Sequence, residues 1–189
     1  MFDYKPFTHE GIDAIRAILE IARKQPDDFN GSHVKVLIFI NAIDYVAKNL
    51  LINLQRMTFI LTQNEFNSIF FYINEKSEDL DEPLGTLIKK LDRFAFPDKD
   101  NFILGLKKFS EYRNKCIHNM FSRVGTNKAR EVDEAMNSIP ELAEKILFSY
   151  DSIVRGVRNE WENYRIKFNN TNYPQVNKNL IYDSERESE

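Results

Sequence analysis

Apolar residues recur at helical spacing along nearly the whole chain. In the second predicted helix, Val36, Ile40, Ile43 and Ala47 open a run of i, i+3/i+4 positions that continues for about seven turns to Leu61. A stripe of this length and width is typical of a helix at the centre of a bundle. Gly and Pro number 6 each, which is too few for a chain of short strands and tight turns. The pattern therefore predicts an all-α, up-and-down helical bundle with short connections.

Capping residues and prolines set the predicted helix boundaries. An extra N-terminal helix ends near Pro26. Thr62 opens a capping box and starts a short helix with an apolar face over 66–73. Pro83 marks the start of the next short helix, and Pro140 marks a restart within the long last helix.

The length of 189 residues predicts one domain, and 42% hydrophobic residues suffice for its core. We expect a single helical domain over 1–168 and a polar, acidic, disordered tail over 169–189. A single cysteine, Cys116, favours a reducing compartment. The most apolar stretch, 34–61, is interrupted by many polar residues, and the chain begins without a signal-peptide pattern. These features predict a cytoplasmic protein with no membrane partner.

The helix predicted over 101–121 carries an arginine on its apolar face. At 100° per residue, Arg113 falls in the middle of an apolar stripe. The other members of this stripe are Phe102, Leu106, Phe109, Cys116 and Met120. A buried guanidinium cannot stay unpaired. Arg113 therefore needs a buried carboxylate, a second protein chain or an anionic ligand.

The same segment is the basic part of an acidic chain. Between Lys107 and Arg130 lie seven cations and one anion, a net charge of +6 in 24 residues, whereas the whole chain carries −3. The candidate RNA- or phosphate-binding cations outside the apolar stripe are Lys107, Lys108, Lys115, Arg123, Lys128 and Arg130. A cationic patch on an acidic protein indicates a phosphate-bearing ligand held at one place, and a solvated helix face is the alternative.

Arg113, Asn114 and His118 form an Arg-Asn-x-x-x-His pattern inside this basic segment. The pattern resembles the Arg-x4-6-His motif of the HEPN domains (higher eukaryotes and prokaryotes nucleotide-binding), in which a polar residue follows the arginine. The resemblance extends to the run 83–91, which is similar to runs seen one helix earlier in bacterial HEPN proteins. It covers the bundle loosely over about 34–164.

The resemblance implies a bundle of four or five helices that often forms a homodimer, with two Arg/His motifs meeting at the interface. Many HEPN proteins are metal-independent endoribonucleases that act as toxins, in phage defence or in RNA processing. By this resemblance, RNA is the substrate, no cofactor is needed, and an antitoxin protein is a further partner. One HEPN branch pairs with a nucleotidyltransferase antitoxin that modifies a Tyr two residues after the His. This sequence departs from that branch, because Met120 stands there.

The motif residues suit RNA cleavage without a metal, which needs an acid, a base and cations for the phosphorane charge. His118 is the candidate proton shuttle, and Arg113 the candidate phosphate clamp. Asn114 orients His118 or donates to a phosphate oxygen, because the two lie at i, i+4. No metal site is predicted, because His9 and His33 lack partners at ligand spacing.

A dimer assembles this site better than one chain, because Arg113 and His118 lie about 140° apart on an ideal helix. The leading hypothesis is a HEPN-type endoribonuclease, a toxin or phage-defence effector that forms a 2′,3′-cyclic phosphate. The alternative is a non-catalytic HEPN-like module that binds RNA, a nucleotide or a protein.

Overall fold

The computed structural model describes residues 7, 9–26, 28–65, 82–119 and 127–170 of the chain. Five helices account for most of them: α1 (His9–Arg23), α2 (Phe29–Glu65), α3 (Leu84–Leu91), α4 (Lys99–Asn119) and α5 (Asn127–Asn170). No strand occurs within these described ranges. The predicted all-α class is therefore confirmed.

The two longest helices, α2 and α5, form the centre of the bundle. They pack against each other; α5 also packs against α4, and α2 packs against α1 and α3. The smaller α3 closes the arrangement by contacting α4. The predicted stripe of α2 is buried, since Val36 and Ile40 are 5% exposed and Ile43 and Ala47 are fully buried. Burial of this stripe supplies the main driving force for the fold.

α4 and α5 run antiparallel and approach each other closely. At the start of α4, the Asp98 carboxylate accepts a hydrogen bond of 2.6 Å from the Ser149 hydroxyl. Further along α4, a Cβ added to Gly105 would lie 3.1 Å from Cγ1 of Ile146. Glycine thus lets the two helix backbones approach at this level, and α4 is held firmly against α5.

A buried polar network joins the N-terminal segment to α2 and α5. The backbone N–H of Phe7 donates to Oδ1 of Asn53 at 2.9 Å, and the Asn53 amide donates to the carbonyl of Asn49 at 2.8 Å. The Tyr150 hydroxyl donates to Oδ1 of Asn49 at 2.8 Å. Phe7 itself is 3% exposed and meets the Tyr150 ring edge-on. This network fixes the start of the described chain against the bundle.

Two predicted helix boundaries are wrong. α2 continues through Thr62 to Glu65, so no new helix begins at Thr62. Extending an existing helix is easier than nucleating a new one, which overrides the capping pattern. α5 also runs unbroken through Pro140. Ile139 and Ala143 on either side are fully buried, and this burial offsets the hydrogen bond that the proline removes.

Other predicted boundaries agree with the structure. α3 begins directly after Pro83, whose carbonyl accepts hydrogen bonds from the backbone of Thr86 and Leu87. The N-terminal helix ends at Arg23, close to the predicted end. α5 extends two residues into the predicted tail. The rest of that tail and the helix predicted over 66–73 lie outside the described residues.

One segment of α2, Asn30–Phe59, is long and apolar enough to cross a membrane by length and composition. It is the single such segment in the part of the chain that the structure describes. In its most apolar window, 56% is buried inside the bundle, as in the core helix of a water-soluble protein. The segment is therefore weak evidence for a membrane span.

Candidate functional site

α4 buries one face against the bundle, and Arg113 lies on that face. Phe102, Leu106, Phe109 and Cys116 are at most 3% exposed, so the predicted stripe is confirmed over 102–116. The Arg113 side chain is 22% exposed, and its position in α4 lies between the buried residues Phe109 and Cys116. The last member of the predicted stripe, at position 120, lies outside the described residues.

The partner of Arg113 is a carboxylate on the neighbouring helix α2. Nη2 of Arg113 lies 3.2 Å from Oδ2 of Asp44, whose side chain is 24% exposed. The sequence left three partners open: a carboxylate, a second chain or an anionic ligand. Within one chain the structure supplies the first. The position of Arg113 on an apolar stripe is thus explained without a dimer.

This ion pair is end-on and incompletely satisfied. Nε of Arg113 and Oδ1 of Asp44 are both buried and have no hydrogen-bond partner. Among the described residues, one further buried side-chain atom shares this condition, Oε2 of Glu82. A bidentate pair would use both atoms, and leaving a buried polar atom unsatisfied costs about 1–3 kcal/mol. The contact is therefore weaker than a two-pronged pair.

Burial dominates the titration of Asp44. It raises the pKa of this carboxyl above its usual value of 3.8, while the positive charges of Arg113 and Lys48 act in the opposite direction. The two cations do not cancel the desolvation of the carboxylate. The charged form of Asp44 is thus disfavoured even beside its arginine.

The residues after Arg113 turn away from the α2 contact. Asn114 and Lys115 are both exposed. The Lys115 ammonium lies 5.6 Å from the centre of the Tyr112 ring, within cation–π range. Arg113 faces the bundle and Asn114 faces solvent, so one chain does not bring these two predicted site residues together.

His118 has its backbone in the last turn of α4, and its side chain lies outside the described part of the structure. The helical register separates His118 from Arg113 by about 140° and puts it four residues after Asn114. The register of α4 thus keeps the angular separation that the sequence predicts for the two motif residues.

The other predicted phosphate-binding cations are scattered around α4 and the start of α5. Lys107, Lys108 and Lys115 are exposed on α4, with Glu111 also exposed between the last two. Arg130 is exposed on α5, where its Nε lies 3.0 Å from a carboxylate oxygen of Glu134 one turn later. Arg123 and the side chain of Lys128 lie outside the described residues. None of these described cations lies beside Arg113 on the buried face.

A cleft of about 950 Å³ lies between α1, α4 and α5, away from the motif. Lys108 is the one predicted site residue in its lining, which also contains Arg16, Arg23, Glu141 and Glu144. Mixed charges of this kind give the cleft no strong preference for an anion. Among the described side chains, no group of three His, Cys, Asp or Glu is arranged to hold a metal ion.

Asp44 is the residue of this site that sequence reasoning missed. Its signal was present, because it is an acidic residue inside the most apolar stretch of the chain. Charged residues are rarely buried without a partner. An acid on one apolar helix and an arginine on another therefore form the natural pair, although the sequence does not say which helices are neighbours.

No family model matches the chain, and comparisons with the curated proteins and with the solved structures found no match either. The candidate site therefore rests on its residues and their geometry.

Proposed function

We propose that this chain is a metal-independent endoribonuclease of the HEPN type, which cleaves RNA by attack of the 2′-OH and leaves a 2′,3′-cyclic phosphate. The observation that carries the proposal is Arg113, an arginine on the buried face of α4 whose contact with Asp44 leaves its Nε unsatisfied. Asn114 follows it directly, and His118 follows five residues later on the same helix. This combination supplies a phosphate clamp, a polar orienting group and a proton shuttle.

The roles follow from the chemistry of each side chain. His118 takes the proton of the 2′-OH or gives one to the 5′-oxygen, because an imidazole titrates near neutral pH. Arg113 stabilises the charge that develops on the phosphorane, because a guanidinium donates through a planar fork and stays charged. Asn114 orients the imidazole or donates to a phosphate oxygen.

A homodimer completes the site in this proposal. Arg113 and His118 lie about 140° apart on an ideal helix, so a symmetric dimer brings an arginine beside a histidine better than one chain does. The bundle is then of the HEPN type with α1 as an addition. The biological role is that of a toxin or phage-defence effector in the cytoplasm, held in check by an antitoxin protein.

The second candidate is a HEPN-like module that binds RNA, a nucleotide or a protein without turnover. The Arg113–Asp44 pair favours it, because this contact accounts for Arg113 with no reaction at all. Binding of phosphate needs the arginine but not the proton shuttle of His118. The two candidates therefore differ in what the loss of His118 does.

The test is cleavage of a labelled RNA in EDTA by purified protein. Wild type is compared with Arg113→Ala and His118→Ala at equal dimer concentration. Matched controls are Arg155→Ala, an exposed arginine paired within α5, and His33→Ala on α2. The ribonuclease proposal expects cleavage by wild type and both controls, and a loss of at least about 100-fold in the two motif variants.

Three results would change the conclusion. RNA binding that needs Arg113 but not His118, with no cleavage in any sample, would establish the binding module. Cleavage that survives in His118→Ala would refute the assigned mechanism. Cleavage by wild type that disappears in EDTA and returns with a divalent cation would refute metal independence.

A further inference from the structure

Phe148 lies on the side of α5 that faces away from the core. Its side chain is 81% exposed, the largest exposed fraction among the large apolar residues of the described chain. Ile146, Leu147 and Tyr150 beside it in the sequence are buried, so the helix is well packed at this level. Leu104 on α4 is 55% exposed and lines the same cleft as Phe148. Exposed apolar side chains that cluster in this way mark surfaces at which another molecule docks.

Phe148 is the centre of a symmetric set of charged residues on α5. Glu141 lies seven residues before it, and Arg155 lies seven residues after it. Lys145 lies three residues before it, and Asp151 lies three residues after it. Steps of three and seven residues keep all four within about 60° of Phe148 on an ideal helix. The four charges therefore share the outward face of α5 with Phe148.

The order of the charges on this face is complementary to its own reverse. From 141 to 155 the face carries a negative charge, a positive charge, Phe148, a negative charge and a positive charge. A second copy of α5 that packs antiparallel, with Phe148 opposite Phe148, puts Glu141 opposite Arg155 of the second copy. Lys145 then lies opposite Asp151. A parallel copy would put like charges opposite each other, so the pattern selects both the partner and its direction.

Within one chain the same four residues form two surface ion pairs. Nζ of Lys145 lies 2.7 Å from Oε1 of Glu141, and the Arg155 guanidinium contacts the Asp151 carboxylate one turn further along. The face is therefore neutral as a whole, and a partner of strong net charge, such as a nucleic acid, gains little from it. A partner with the same alternating pattern adds an opposite charge at all four positions.

We propose that the outward face of α5 centred on Phe148 is a docking surface for a second copy of this chain, which packs antiparallel across a two-fold axis at Phe148. A two-fold contact uses the same patch on both copies, and a self-complementary face meets that condition. The two phenylalanines form the apolar centre with Leu104 at its edge, and the charged residues form the rim. The contact uses no residue of the Arg113 motif and is separate from the dimer that completes the site in the proposed function. Its loss therefore leaves RNA cleavage unchanged.

The test is sedimentation equilibrium of the purified full chain from micromolar to millimolar concentration. Phe148→Asp should weaken association at least about 30-fold, because it puts two carboxylates opposite each other in place of the apolar centre. Where the dimer of the proposed function also forms, this variant should reduce a larger assembly to that dimer. Ile166→Asp makes the same change at an exposed position of α5 outside the face and should leave association unchanged.

Two results of this test would overturn the inference. One is a wild-type chain that stays monomeric at every concentration, which would leave the face to a different partner. The other is an equal effect of Phe148→Asp and Ile166→Asp, which would show that association does not use the face around Phe148.

Charge reversal tests the antiparallel direction. Arg155→Glu puts a carboxylate opposite Glu141 of the other copy at both ends of the contact, and it should weaken association about tenfold. Adding Glu141→Arg restores opposite charges between the copies and should recover most of that loss. Within one chain the two positions lie about 21 Å apart along α5, so the rescue acts between copies. A double variant that associates no better than Arg155→Glu alone would overturn the inference.

Discussion

Two polar clusters lie along α2 and differ in how well they are satisfied. In the first, Asn49 and Asn53 bind each other, the Tyr150 hydroxyl and the backbone of Phe7, and no buried side-chain atom of these residues lacks a partner. In the second, Asp44 meets its arginine end-on, and each of the two groups keeps an unsatisfied buried atom. A fully satisfied network stabilises one conformation, whereas a half-satisfied pair adds less to stability because it leaves buried polar atoms without partners. The first cluster therefore contributes to the fold, and the second has a role in phosphate binding only under the function proposed above.

The largest expected effect concerns activity, and it distinguishes the two clusters directly. Arg113→Ala should lower RNA cleavage per folded molecule by at least about 100-fold, because the phosphorane charge loses its clamp. Asn49→Ala should leave that rate unchanged, since Asn49 touches no part of the proposed site. The check is single-turnover cleavage normalised to the folded fraction. Equal losses in both variants would remove the distinction between the clusters.

Substitutions in the two clusters should change the free energy of unfolding of the protein in opposite directions. Loss of the Asn49 side chain should lower it. Asn49→Ala leaves the Tyr150 hydroxyl without its acceptor, while the Asn53 amide keeps the backbone carbonyl of residue 49. We therefore expect a loss of about 2 kcal/mol in the free energy of unfolding. Urea denaturation followed by circular dichroism measures it. A loss below about 0.5 kcal/mol would show that the network is dispensable.

Replacing both partners of the ion pair should cost little. The double variant Asp44→Leu with Arg113→Leu exchanges two largely buried charges for apolar contacts. Its free energy of unfolding should lie between that of wild type and a value about 2 kcal/mol higher. Each single replacement should instead destabilise the protein, because it leaves one charge unpaired. A double variant less stable than either single variant would mean that the pair itself stabilises the fold.

Removing one hydroxyl from the satisfied cluster is a milder test. Tyr150→Phe keeps the ring that meets Phe7 and removes one hydrogen bond, while Asn49 still accepts from Asn53. The expected loss in the free energy of unfolding is about 1 kcal/mol, from thermal or urea denaturation. A gain in stability would show that burying the hydroxyl costs more free energy than its hydrogen bond to Asn49 contributes.

The smallest expected effect is a difference in pH dependence between two carboxylates. Burial raises the pKa of Asp44, so the folded protein holds that proton to a higher pH than the unfolded chain does. Hydrogen bonds from Ser149 and Asn101 lower the pKa of Asp98. The folded protein therefore releases the Asp98 proton at a lower pH than the unfolded chain does. The contribution of Asp44 is full below about pH 3.8 and is lost as the pH rises through its folded pKa.

The stability of wild type relative to Asp44→Asn should therefore rise on acidification from neutral pH towards pH 4. Its stability relative to Asp98→Asn should fall as the pH drops through and below the usual aspartate range. Denaturation curves for the three proteins at a series of pH values measure both slopes. Parallel slopes for the two variants would contradict the difference in their environments.

Much of the fold follows from local patterns in the sequence. The apolar stripes of α2 and α4 appear at their predicted positions, and α3 begins directly after Pro83 because that residue suits a helix start. The boundaries predicted at Thr62 and Pro140 are wrong because each rests on a local capping or breaking signal that is worth a few kcal/mol at most. At Thr62 extension of an existing helix is easier than nucleation of a new one, and at Pro140 the burial of Ile139 and Ala143 outweighs the lost hydrogen bond.

The candidate site was predictable in part. Helical periodicity puts Arg113 on a buried face, and the cost of burying a charge requires a partner for it. The identity of that partner depends on which helices become neighbours and at what register, which no local pattern encodes. Asp44 therefore emerges only from the assembled bundle, which brings its carboxylate on α2 within 3.2 Å of Arg113 on α4. The role of the pair depends further on its end-on geometry, which is a property of the packed side chains.

The central claim is that Arg113, Asn114 and His118 act on RNA through its 2′-OH, and the chemistry of the product ends tests it most directly. Phosphorus NMR of RNA fragments made by wild-type protein in EDTA distinguishes the classes of product. We expect a 2′,3′-cyclic phosphate signal, absent from a parallel sample with His118→Ala. Fragments that carry 5′-phosphate ends, or a cyclic phosphate signal of equal size in both samples, would contradict the account.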